Sequence, residues 1–237
     1  TYHGVPHVVM LATPSDLEDL AYGFTLSEEL VAGVEEIRSV EVAAPGGEAG
    51  DPAIEVRIGI AWERFPELLR RRRNLTGRTG CGLCGTETLD AAIRDRSRIA
   101  SGPRVSAAGL HAAIVQLESL QPLNARTGSV HAAAWVIPGQ GIYCVREDVG
   151  RHNALDKAIG ALVRARVDLD AGYMLVTSRA SYEMVQKAAT VGIAFLAALS
   201  APTAFAVRHA ERSGLTLVAF ARRDRHVVYT HAQRIEP

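Results

Sequence analysis

Cys81 and Cys84 have the most reactive chemistry open to any residues of this chain. They stand in the string Thr79-Gly-Cys-Gly-Leu-Cys-Gly85, with glycine before, between and after the two thiols. Glycine leaves the backbone free there and puts no side chain beside the sulfurs. The following Thr86-Glu-Thr-Leu-Asp-Ala-Ala-Ile93 reads as a helix start with Thr86 at the N-cap. A thiol ahead of a helix N-terminus feels the positive end of the helix dipole, which favours the thiolate. Three chemistries suit such a pair: half of a zinc site, thioredoxin-type dithiol exchange, and carriage of a persulfide sulfur. A loop pair without chemistry is the bland alternative. Zinc needs two more ligands, yet the third cysteine, Cys144, falls in an apolar strand and no second Cys-x-x-Cys exists. Dithiol exchange expects a strand ahead of the pair, and an arginine-rich helix precedes it here. A sulfur carrier needs an exposed, activated thiolate that can reach both donor and acceptor, and flexible glycines suit that task.

Three further polar strings sit where strands give way to helices or turns. Arg146-Glu-Asp-Val-Gly-Arg-His-Asn-Ala-Leu-Asp-Lys157 leaves a strand and enters a helix near Gly150. Free N–H groups at that helix start, with Arg151, His152 and Asn153 as added donors, make a phosphate or nucleotide edge. Ordinary capping with surface ion pairs is the alternative. Thr177-Ser-Arg-Ala-Ser-Tyr-Glu183 places Ser178, Arg179 and Ser181 at the same kind of edge. Phe220, Ala221, Arg222, Arg223, Asp224 and Arg225 end one strand and turn into the next. An aromatic beside arginines can stack on a base and bind phosphates, and a plain basic hairpin tip is the competing reading. His131 invites comparison with zinc nucleobase deaminases, but Ala132 and Ala133 follow it and the cysteine pair precedes it. The catalytic glutamate of a His-x-Glu motif is therefore missing, which excludes deamination.

The elements that must position these residues follow from periodicity and turn chemistry. Val8 to Ala12 reads as a strand, and Thr13-Pro-Ser-Asp16 as a helix start capped by Thr13. Leu17, Leu20, Ala21 and Phe24 give that helix one apolar face. Val34 to Val42 and Ala53 to Ile60 alternate as strands around the hairpin loop Pro45 to Pro52. Phe65 to Arg73 is a short helix ending in four arginines, either a solvated end or a basic rim for an anion. Ser106 to Leu120 is an amphipathic helix. Strands are expected at Ala132 to Ile137, Gly141 to Val145, Tyr173 to Thr177, Thr203 to Val207, Leu215 to Ala221 and His226 to Thr230. Helices are expected at Asn153 to Arg166, Tyr182 to Leu199 and Arg208 to Ser213. Strands alternating with helices imply a mixed sheet covered on both faces. The division is a smaller N-terminal α+β domain over 1–100 and a larger α/β domain over 101–237.

With 237 residues, 48% of them hydrophobic, the chain can bury a substantial core. Its formal net charge of zero gives no global argument for nucleic acid or a membrane surface. Lys157 and Lys187 are the only lysines, so nearly all positive charge is arginine, which also suits phosphate. Three cysteines, no signal peptide and no apolar run of membrane-spanning length point to a reducing cytoplasm. The chain opens at Thr1 without methionine and reads as trimmed of its natural N-terminus.

Together, Thr79 to Gly85, Arg146 to Lys157, Thr177 to Ser181 and Phe220 to Arg222 resemble the formate dehydrogenase accessory sulfurtransferases, the FdhD family. Thr13 to Phe24, with Ser27-Glu28, matches that family's opening helix, and the resemblance covers nearly the whole chain. It implies a protein that takes persulfide sulfur from a cysteine desulfurase. The sulfur would go to molybdenum bis(pyranopterin guanine dinucleotide), bound as substrate, for use by formate dehydrogenase. Carried over, Cys81 bears the persulfide, Cys84 is its partner or alternate carrier, and Phe220 to Arg225 binds the guanine dinucleotide. The resemblance also implies a homodimer whose larger domain is a cytidine-deaminase-like three-layer α/β/α fold with no permanent metal site. Members of the family carry more chain before the first strand. A zinc- or redox-sensing binding protein using the Cys81/Cys84 pair is the alternative.

Overall fold

The computed structural model describes residues 1–43, 53–72 and 99–237. Cys81, Cys84 and the helix start at Thr86 lie outside the described residues, as does the hairpin loop Pro45 to Pro52. The expected boundary near residue 100 falls beside the same segment.

The chain is a mixed α/β protein built on a six-stranded sheet. Its strands are β4 (His131–Ile137), β5 (Gly141–Asp148), β6 (Tyr173–Val176), β7 (Phe195–Ala198), β8 (Thr216–Ala219) and β9 (Val227–Val228), ordered β5-β4-β6-β7-β8-β9. β6, β7 and β8 run parallel, while β4 and β9 are antiparallel to their neighbours. The strands alternate faces as a period of two requires. Ala133, Trp135, Met174, Val176, Leu196 and Leu217 point into one core. Helices α5 (Arg151–Arg164), α6 (Tyr182–Thr190) and α7 (Ala204–Ser213) cover that face. Ala132, Ala134, Tyr173, Leu175, Phe195, Ala197 and Val218 point into the other, under α3 (Ala107–Ser119). Leu110, Ala113, Ile114 and Leu117 form the buried stripe of α3, and Ser106 caps it by accepting from the Gly109 N–H at 3.1 Å. The short helix α4 (Pro122–Thr127) precedes β4.

A smaller unit precedes the sheet. β1 (Ile37–Ala43) and β2 (Glu55–Ile60) form an antiparallel hairpin with α1 (Leu17–Ser27) and α2 (Phe65–Arg72). Tyr2, Leu30, Ile58, Ile60 and Leu68 make its own core. A short parallel pair, β3 (Val105–Ser106) with β10 (Ile235–Glu236), lies outside both sheets. α1 packs on α5 through two facing glycines. A Cβ on Gly23 would sit 1.7 Å from the Asp156 carbonyl oxygen, and one on Gly160 1.8 Å from that of Asp19. Around the crossing, Asp19 pairs with Arg146 at 2.8 Å and also with Arg164, while Ser27 donates to Asp156 at 2.7 Å.

Three expectations from periodicity fail for identifiable reasons. The apolar run to Leu199 is not one helix: α6 ends at Thr190, Gly192 takes φ +86°, and Phe195–Ala198 is a strand. A strand buried on both faces reads as a continuous apolar run and cannot be told from a buried helix by period alone. Thr203 to Val207 is not a strand but the start of α7, with Thr203 as N-cap accepting from the Ala206 N–H at 3.1 Å. Val8 to Ala12 is assigned to no strand, and α1 begins at Leu17 rather than beside Pro14. Its N-cap is Asp16 in the left-handed region, and the Thr13 hydroxyl instead accepts from the Val149 N–H at 3.1 Å.

Candidate functional site

β5, β6, β7 and β8 all end at the same edge of the sheet, because the two antiparallel steps through β4 restore the direction of β5. That edge gathers the three polar strings: 148–153 after β5, 177–181 after β6 and 220–225 after β8. Ligands bind at this end of open α/β sheets. The strings nevertheless divide between its two sides.

On the α3 side lies an open cleft of about 680 Å³, lined by Ile114 and Glu118 of α3, by Thr177, Leu199 and Ser200 at the strand ends, and by 221–225. Its size suits a nucleotide-sized ligand. The turn is closed by the Arg222 N–H donating to the Arg225 carbonyl at 2.8 Å. Arg222 Nη1 donates to the carbonyls of Leu199 and of Ala221, the latter at 2.8 Å, bracing the end of β7. Arg223 forks onto Glu118, with Nε donating to Oε1 at 3.1 Å and Nη2 to Oε2 at 2.5 Å. Asp224 and Arg225 are exposed at the tip, and Ala221 is buried in the core under α3. Beyond the turn, His226 Nδ1 lies 3.0 Å from His111 Nε2 of α3, and burial followed by His111 holds the His226 imidazole below its ordinary range. Phe220 has φ +49° and is 42% exposed. A bulky residue adopts that backbone only where its surroundings enforce it. Here its own N–H donates to Ser200 and that of Ala221 to Ala198, at 3.2 and 3.1 Å. An aromatic ring is thereby held exposed at the end of β8, directly before the cleft residue Ala221.

The twelve-residue string from Arg146 to Lys157 leads into α5 on the other side, and most of it serves internal bonding. Glu147 accepts from the N–H groups of Leu123 and Asn124 at 2.9 and 2.8 Å, capping α4. Asp148, fully buried, accepts from Gly150 N–H (2.8 Å), Asn153 Nδ2 (3.0 Å), Thr13 N–H (2.9 Å) and Lys157 Nζ (2.6 Å). Asn153 Nδ2 also donates to the Leu11 carbonyl at 2.9 Å, so this amide fastens the N-terminal segment. Asp156 pairs with Lys187 at 2.9 Å. The polar density reflects capping and buried ion pairs rather than surface ones. Arg151 and His152 stand apart: Arg151 Nε, His152 Nε2 and Ser181 Oγ are buried with no hydrogen-bond partner among the described residues. His152 Nε2 is 4.0 Å from Glu183 Oε2. Arg179 is exposed, whereas Ser178 is buried and donates to the Arg179 carbonyl at 3.1 Å.

Burial first, then the charges of Arg151 and Lys187, lower His152 to about 4 from the ordinary 6.5. Burial and Arg151 lower His131 likewise. Between about pH 4 and 6.5 the unfolded chain therefore binds more protons at His152 than the folded one. Stability from the neutral imidazole is complete above the unfolded value and is lost as pH falls toward the folded one. His152→Gln is expected to flatten this part of the stability–pH curve by on the order of 2 kcal/mol, read from urea midpoints at pH 7 and about pH 4.5.

Residues 1–236 match the FdhD/NarQ family profile. The chain belongs to the FdhD/NarQ family. Among FdhD proteins, the sulfur carrier protein FdhD of Cupriavidus necator is 49% identical over 235 residues, covering 99% of this chain and 80% of that protein. The sulfur carrier protein FdhD of Xanthomonas euvesicatoria is 50% identical, covering 99% and 82%. The solved structure from Desulfotalea psychrophila, assigned as a formate dehydrogenase accessory protein, shares the fold at a TM-score of 0.75. It is 23% identical and the match covers 99% of this chain and 86% of that one. Among the described residues of this FdhD/NarQ member, no group of three or more His, Cys, Asp and Glu is arranged to hold a metal, and no helix is long and apolar enough to cross a membrane. Glu118, Thr177 and Asp148 had no site role from sequence. Glu118 follows the apolar stripe of α3 without any motif, whereas Asp148 stood inside the polar string and only its burial reveals its task.

Proposed function

We propose that this chain is a sulfur carrier for the molybdenum cofactor of formate dehydrogenase. The observation that carries the reading is identity of about half with sulfur carrier proteins across 99% of the chain. The arginine-lined cleft at the carboxyl edge of the sheet supports the cargo side. The Cys81 thiolate attacks the terminal sulfur of a cysteine desulfurase persulfide. The S–S bond there breaks, the desulfurase thiolate leaves, and Cys81 holds the sulfur as a persulfide, with Cys84 as partner or alternate carrier. Molybdenum bis(pyranopterin guanine dinucleotide) binds as substrate. Phe220 stacks on a guanine, and Arg222, Arg223 and Arg225 take phosphates. Arg151, His152, Ser178 and Arg179 form a second polar edge across the sheet, with Asn153 holding its approach. The larger domain is read as cytidine-deaminase-like over 101–237, beside a smaller domain over 1–100, in a cytoplasmic homodimer. The zinc- or redox-sensing alternative gains no support from relatives that are sulfur carriers by name.

The deciding experiment incubates the protein with a cysteine desulfurase and cysteine, alkylates it, and maps the added sulfur by mass spectrometry. Label on Cys81 or Cys84 is the expected result. In cells lacking the native protein, Cys81→Ser is expected to abolish formate dehydrogenase activity. Full activity from both Cys81→Ser and Cys84→Ser would overturn the reading.

A further inference from the structure

We propose that Glu118 reads the Watson–Crick edge of the guanine and that Arg223 occupies its carboxylate until the base arrives. This rests on the nucleotide reading of the cleft given above. The Arg223–Glu118 contact is a two-point fork, with two parallel N–H groups on one plane meeting the two carboxylate oxygens at 3.1 and 2.5 Å. Guanine presents the same pattern, because its ring N1–H and 2-amino group are adjacent, coplanar donors. Adenine offers a donor beside an acceptor on the corresponding edge and repels one carboxylate oxygen. Hypoxanthine keeps N1–H and lacks the amino group.

Placement favours Glu118 over Asp224, the other carboxylate lining the cleft. Glu118 stands on α3, an element capped at Ser106 and fixed by its buried stripe, so its position is set before any ligand enters. Asp224 sits at an exposed tip between Arg223 and Arg225. The exchange needs little motion. The ends of the turn are held through Arg222–Arg225 and His226–His111, while the Arg223 side chain is 67% exposed and free to swing. Once the base displaces it, Arg223 is a released cation at the lip of the cleft, available to a phosphate of the same nucleotide. One carboxylate thus couples base identity to phosphate binding.

The test is calorimetric titration of the full chain with GDP, IDP and ADP at one fixed salt concentration. The wild type is expected to prefer GDP over IDP by roughly tenfold, as one bidentate base contact allows, and to bind ADP more weakly still. Glu118→Gln is expected to erase the GDP-over-IDP preference. Arg223→Ala is expected to weaken GDP and IDP while keeping the preference between them, and to change ADP less, because adenine leaves Arg223 on Glu118. Retention of the preference in Glu118→Gln, or its loss in Asp224→Asn alone, overturns the assignment of Glu118. A wild type that binds none of the three, or binds GDP and ADP equally, overturns the guanine reading of the cleft itself.

Discussion

Replacing Lys187 with methionine is expected to destabilise the protein by about 3–5 kcal/mol, the cost of leaving a buried carboxylate without its counter-charge. Lys187 is buried, and its Nζ donates to both oxygens of Asp156, at 3.1 and 2.9 Å, and to Ser27 Oγ at 2.9 Å. It also pairs with Glu28 at 2.9 Å. Burial opposes its charge, but Asp156 and Glu28 outweigh that and hold the ammonium above its ordinary range. The amine comes from α6, Asp156 from α5, and Ser27 and Glu28 from the end of α1, so one charge ties three helices. Methionine fills similar space and leaves Asp156 with Ser27 as its remaining donor. Urea titrations should show a lower midpoint at an unchanged slope. Lys187→Met with Asp156→Leu is expected to recover most of the loss, because the unpaired charge is gone and an apolar contact replaces it. A double variant no more stable than Lys187→Met would show that the site depends on the ion pair itself.

That network also marks what could and could not be read from sequence. Lys157 and Lys187 are conspicuous as the only lysines, yet composition alone gives no reason to bury both. Their aspartate partners become visible only when strand order brings the end of β5 and the start of α5 beside Thr13 and α1. The amphipathic stripe of α3 and the antiparallel ladder of β1–β2 were legible because each element has one apolar and one polar side or a clear turn. β7 was not, because a central parallel strand has no polar side to set its period. At the site, the three polar strings were legible as strand-end motifs, and sheet order does bring them to one edge. Their separation onto two sides of the sheet depends on which face each following helix or turn covers, and no local pattern encodes that. Glu118 was invisible for the same reason: its partner is 105 positions away.

The α1–α5 crossing carries the other large effect. Gly160→Ala is expected to lower stability by about 3 kcal/mol and the melting temperature by roughly 6–12 °C. An alanine for glycine inside a helix ordinarily stabilises by up to about 1 kcal/mol, so the sign of the change isolates the packing. The added methyl would lie 1.8 Å from the Asp19 carbonyl oxygen and 2.6 Å from its carbon. Both are backbone atoms, and no rotamer change relieves them. α1 must move outward, and its movement strains the pair from Asp19 to Arg146 and that from Ser27 to Asp156. Gly23→Ala meets the Asp156 carbonyl at 1.7 Å and is expected to act in the same direction. Because both methyls push the same two helices apart, the double variant should cost less than the sum of the singles. Additive losses in thermal melts would instead mean that each glycine is confined by its own surroundings rather than by a shared helix spacing. The consequence reaches the site, since α5 starts at Arg151 and His152 and is seated by this crossing. Withdrawal of α1 admits water near His152, so in Gly160→Ala its imidazole is expected to titrate closer to the ordinary 6.5 than to about 4. Proton NMR titration of the ring would read that shift directly.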